Sequence, residues 1–99
     1  MPNKLVIAPE AAVDLADAFD WYEERRPGLG EEFLSCVDAS LQQICRIPEM
    51  YPTVLHDYRR GLVRRFPYAV FYEYTVSTIV VYAIFHTSMN PQKWRDRMP

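Results

Sequence analysis

The feature that most constrains this chain is a change of hydrophobic period close to residue 57. Before that point apolar residues recur at three- and four-residue steps, and after it they recur at every second residue. A chain patterned this way builds helices first and antiparallel strands afterwards, which predicts an α+β fold with helices covering one face of a sheet. Ala12, Leu15, Phe19 and Tyr22 make one helical stripe, with Asp14, Asp17, Asp20, Glu23 and Glu24 largely on other faces. Pro9 suits a first helical turn, and Arg25-Arg26-Pro27-Gly28 brings bases, a breaker and a glycine, so the first helix is expected over about 9–26. Phe33, Val37, Leu41 and Ile44 mark a second helix from near Leu29 to Ile47-Pro48, and the short joint predicts an antiparallel pair. A β-leaning run at 4–8 precedes both and predicts an N-terminal strand.

Residues 48–57 read as an irregular connection. Beyond them, 59–66, 68–75 and 78–86 are rich in β-branched and aromatic residues and predict a three-stranded antiparallel meander. If the turns are the two-residue loops Phe66-Pro67 and Val76-Ser77, cross-strand partners sort into two faces. Val63, Tyr68, Val70, Tyr72, Tyr74, Ile79, Val81, Ala83 and Phe85 then face the helices. Arg60, Leu62, Arg64, Ala69, Phe71, Glu73, Val80, Tyr82, Ile84 and His86 face away. The tail at 90–97 reads as a turn or helical cap pinned by Trp94.

At 99 residues, 49% hydrophobic and with 3 Gly, the sequence fits one globular domain over 1–99 and excludes disordered and low-complexity classes. The longest apolar run, 79–85, is far below the roughly 20 residues of a membrane span, and no leader pattern opens the chain, so a cytoplasmic protein is expected. Residues 1–50 hold ten acids and four bases, and residues 51–99 three acids and seven bases, giving −6 and +4 within a net −2. Six of those seven bases are arginine, which favours pairing with carboxylate or phosphate at defined geometry. A sequence pI of 5.6 argues against bulk affinity for nucleic acid. Cys36 and Cys45 fall on opposite sides of the second helix, about 13 Å apart along its axis, and cannot bridge. No metal-ligand spacing occurs, so neither metal nor cofactor is expected.

Arg60, Arg64 and His86 are the candidate chemical residues. In the register above, the Arg64 and His86 backbones lie roughly 12 Å apart, a gap two side chains can close around one phosphate. Cleavage through a ribose 2′-hydroxyl needs a base, an acid and cationic donors for the developing charge, which histidine and arginine supply without metal. Tyr82, Trp94 and Arg95 are the further candidates for contact with a target or partner, whereas His56 reads as an exposed loop residue.

The chain resembles the RelE/ParE superfamily of toxins from type II toxin–antitoxin systems, and its ParE branch most closely. The resemblance is carried by Pro9-Glu10-Ala11 with Asp14-Leu15, by Trp21-Tyr22 with Pro27-Gly28-Leu29-Gly30 and Phe33, and by Ile47-Pro48-Glu49. It continues through Arg59-Arg60, Arg64-Arg65-Phe66-Pro67-Tyr68 with Phe71-Tyr72-Glu73, and ends on His86, Pro91, Trp94 and Arg95-Asp96-Arg97. It implies a strand, two helices and an antiparallel meander, and a growth-inhibiting protein neutralised by an antitoxin encoded beside it. ParE-like members poison DNA gyrase, whereas RelE-like members cut ribosome-bound messenger RNA. The meander strands here hold no lysine and the chain is acidic overall, which favours the gyrase-directed reading over the endoribonuclease. A toxin-derived binding module without activity is the third reading.

Overall fold

The computed structural model describes residues 3–98. The elements run β1 (Lys4–Ile7), α1 (Pro9–Arg25), α2 (Leu29–Arg46), β2 (Thr53–Leu55), β3 (Tyr58–Leu62), β4 (Tyr68–Thr75), β5 (Thr78–His86) and α3 (Pro91–Arg97). Pro9 opens α1, and Gly28 at φ 90° turns the chain between the helices. Glu23 fixes that joint, accepting from the Gly28 and Gly30 N–H groups at 2.9 Å each, so one carboxylate serves two helix-start donors.

The strands form one sheet in the order β1-β5-β4-β3-β2. The expected meander is its centre, β3-β4-β5, and the sheet is wider than expected at both edges. β1 joins β5 in parallel, with Leu5 opposite Ile79 and Ile7 opposite Val81. β2 adds to β3 inside the segment expected to be irregular. Three residues are too few to show a period of two.

The helix pair packs on one face of the sheet. Phe33, Val37, Leu41 and Ile44 of α2 meet Val63, Val70, Tyr72, Ile79, Val81 and Ile84 there. Tyr22, Phe33, Phe66 and Tyr68 knit the same layer, with ring centroids of neighbouring pairs 5.0–5.3 Å apart. At about 1.5–3 kcal/mol per fully buried large side chain, this interface is the main source of stability. The opposite face holds a second cluster, Tyr58, Ala69, Phe71, Ala83, Phe85 and Met98, capped by α3.

Two parts of the expected register are corrected. β3 ends at Leu62, and the link to β4 runs over 63–67 with Arg65 at φ 72°, so it is not the two-residue loop Phe66-Pro67. Ala69 therefore pairs with Leu62 and not with Arg64. Between β4 and β5 the Val76-Ser77 turn is as expected, but the register shifts: Tyr72 pairs with Val81 and Phe71 with Ala83, leaving Tyr82 as an extra residue. A bulge of one residue reverses every later side chain. Ala83 and Phe85 pass to the outer cluster, and Ile84 moves to the helix side. The bulged backbone is held by two side chains. Arg97 donates to the Tyr82 carbonyl at 3.2 Å, and Asp14 accepts from the Ile84 N–H at 3.1 Å.

Candidate functional site on the outer face of the sheet

The corrected register divides the sequence candidates. Arg60 lies opposite Phe71 on the outer face, in line with Tyr58 two residues before it. Trp94 of α3 stacks on Phe71 with centroids 5.0 Å apart and planes at 19°. The Arg95 guanidinium stands 5.3 Å from the Trp94 ring, and Tyr82 meets Tyr58 edge to face at 5.5 Å. Arg60, Tyr82, Trp94 and Arg95 thus converge on one surface.

Arg64 and His86 do not join them. Arg64 is exposed past the end of β3, on a groove of about 740 Å³ beside Ser35 and Ala39 of α2. His86 sits opposite Tyr68 and contacts that ring edge to face at 5.3 Å, on the helix side of the sheet. It lines a separate cleft of about 270 Å³ with Asp14, Asp17 and Trp21. Its Nδ1 accepts from the Ser88 N–H at 3.0 Å, which places the ring proton of the neutral imidazole on Nε2. The expected cluster of Arg60, Arg64 and His86 around one phosphate is therefore not assembled, because the strand end and the bulge send its members to three places. His56 is exposed in the turn between β2 and β3, as expected.

The outer face is electrostatically unfinished. Among the described residues neither Arg60 nor Arg95 pairs with a carboxylate, and the Arg60 Nε is buried without a hydrogen-bond partner. Arg59, its neighbour in sequence, is satisfied on the other side by the Tyr51 and Glu49 carbonyls at 2.6 and 3.2 Å. The Tyr82 hydroxyl donates to Glu73 at 3.4 Å. Burial first, and the Glu73 charge second, push both the Tyr58 and the Tyr82 phenol above the ordinary value, so both remain protonated donors at neutral pH. Two guanidiniums that have no carboxylate partner among the described residues, beside an aromatic stack, suit a partner that offers carboxylates and apolar side chains together.

Sequence reasoning placed Phe71 and Glu73 on this face with Arg60 without naming them as site residues, and it missed Tyr58, although the period of two places Tyr58 beside Arg60. It also missed Asp14 and Arg97 as the pair that holds the bulge, for which the sequence carries no signal.

This arrangement, a helix pair against a mixed sheet with a short C-terminal helix on the far face, is the fold of a solved toxin–antitoxin protein. The chain matches the structure titled "Chromosomal ParDE TA system from P. aeruginosa" at a TM-score of 0.76 and 16% identity, over 85% of this chain and 95% of that one. The family described as "ParE toxin of type II toxin-antitoxin system, parDE" matches residues 5–91, and the chain belongs to that family. It is a toxin of the type II toxin–antitoxin class, and membership implies an antitoxin partner. No curated protein matches it. Among the described residues no helix is long and apolar enough to cross a membrane.

Proposed function

We propose that this toxin stops growth in the cytoplasm by engaging DNA gyrase, with Arg60, Tyr82, Trp94 and Arg95 forming the contact surface, and that an antitoxin encoded beside it neutralises it. The observation that supports this over RNA cleavage is the position of His86, on the opposite side of the sheet from Arg60. General acid–base catalysis needs the titrating group within hydrogen-bond reach of the reacting oxygen, and a sheet lies between these two side chains. A surface that combines arginines without a carboxylate partner among the described residues with the half-buried Tyr82 and Trp94 rings suits a protein partner, in which carboxylates and apolar groups lie side by side.

Expression without antitoxin tests the reading, with the DNA damage response and messenger RNA integrity followed in parallel. Early DNA damage with intact messenger RNA is the expected result. Early messenger RNA cleavage with no damage response overturns it in favour of the ribosome-dependent endoribonuclease.

A further inference from the structure

The tip of the β4–β5 hairpin breaks a local rule with no compensation inside the molecule. A two-residue hairpin turn with positive φ at both central positions favours Asn-Gly, Asp-Gly or Gly-Gly. Here the pair is Val76-Ser77, at φ 38° and 65°. A β-branched residue in this region is a conformational outlier, because its Cβ substituents crowd the backbone. Strain of this kind persists where something else requires the side chain, yet Val76 is 95% exposed and packs on nothing. The other two non-glycine positions with positive φ are accounted for. Arg65 is held by an ion pair to Glu32 at 3.1 Å, and His56 is one of the residue types that tolerate the region.

The surroundings extend the feature. The Lys4 N–H donates to the Ser77 carbonyl at 2.8 Å, so β1 begins beside the tip. Its Leu5 and Val6 are 36% and 38% exposed, and exposed Lys4 has no carboxylate partner among the described residues. The sheet around the tip therefore presents exposed Val76, with Leu5 on one face of β1 and Val6 on the other, and one cation without a carboxylate partner among the described residues. An aliphatic tip gains nothing against a phosphate backbone, but it gains burial in a protein pocket.

We propose that the Val76 tip is a second contact point with the protein this toxin acts on, seated in an apolar socket whose rim carries a carboxylate for Lys4. The proposal rests on the reading that the target is a protein. Turn strain and apolar contact are separated by two variants. Val76→Asn relieves the backbone and removes the apolar group, whereas Val76→Leu removes the β-branch and keeps the side chain apolar.

Melting temperature and growth inhibition at matched protein level are measured for both, together with supercoiling by DNA gyrase. Val76→Asn is expected to melt a few degrees higher than the parent and to inhibit growth tenfold or more weakly, while Val76→Leu stays within a few-fold of the parent. Full toxicity of Val76→Asn overturns the proposal whatever the target. So does a Val76→Asn variant that keeps its toxicity but is no longer neutralised by the co-expressed product of the adjacent gene, because the tip then belongs to the antitoxin interface. If the parent leaves gyrase untouched while the two variants still part as expected, the tip stands and the gyrase reading falls.

Discussion

Asp14 of α1 and Arg97 of α3, 83 residues apart in the chain, form a two-pronged ion pair at 2.9 and 3.3 Å across the edge of β5. Each partner also holds the bulge, Asp14 through the Ile84 N–H and Arg97 through the Tyr82 carbonyl. The pair thereby fixes which residues of β5 face outward, and with them the surface around Arg60. Its side chains are only 13% and 25% exposed, so removing one partner strands a charge in a poorly hydrated place. Asp14→Ala is expected to destabilise the fold by about 2–4 kcal/mol in urea denaturation. Arg97→Ala should cost less, and the double variant should show clear coupling between the two sites. Additive effects would mean that the pair does not act as a unit.

Gly30 is required by close packing and not by its backbone angle. A Cβ there would lie 2.8 Å from both the Phe19 ring and the Glu23 Oε1 that accepts from the Gly30 N–H. Gly30→Ala is therefore expected to lower stability by about 1–3 kcal/mol despite alanine's higher helix propensity. A thermal melt that rises instead would contradict this packing.

On the outer face, Arg60→Ala should relieve growth inhibition while leaving the melting temperature nearly unchanged, because among the described residues the guanidinium has no carboxylate partner and its buried Nε no hydrogen bond to lose. Trp94→Ala should weaken both, since the ring stacks on Phe71 and anchors α3. Arg64→Ala, off this face, should remain within a few-fold of the parent in toxicity. Equal losses for Arg60→Ala and Arg64→Ala would place the contact surface elsewhere.

His86→Gln keeps a hydrogen-bonding side chain and removes the titratable group. Toxicity within a few-fold of the parent is expected, with messenger RNA intact in a translating extract. Cleavage by the parent that disappears in the variant would promote the ribonuclease reading, since loss of an acid–base group costs roughly 10²–10⁴ in rate.

Alkaline stability should depend on Tyr72. Burial pushes its phenol up to about 12 from the ordinary 10.0, and its hydroxyl donates to the Pro48 carbonyl at 2.6 Å. With the folded value raised, the unfolded chain loses its proton first. The contribution is thus intact below pH 10 and is lost as pH rises toward 12. Tyr72→Phe should be less stable near neutrality, from the lost hydrogen bond, and show a shallower decline across that alkaline window in denaturation midpoints.

What the sequence alone determined is the set of elements whose side chains repeat with a clear period. Phe33, Val37, Leu41 and Ile44 specify α2 because steps of three and four return to one helical face, and Pro9 and Pro48 bracket the helical region as residues suited to a first turn and a stop. Alternation likewise specifies β4 and the first half of β5, where Tyr72, Tyr74, Ile79 and Val81 face the helices as expected. Only the tertiary structure decided what lies beyond Tyr82. A bulge leaves no mark in residue type, because Tyr82, Ala83 and Ile84 suit either face, and the shift is held by Asp14 and Arg97 from distant parts of the chain. The place of β1 beside β5 was hidden for the same reason, since strand pairing is a long-range contact and a four-residue run does not name its neighbour. Periodicity is local and survives in one dimension, whereas register depends on groups brought together by folding, so the outer face became legible only once β5 had been placed against α1 and α3.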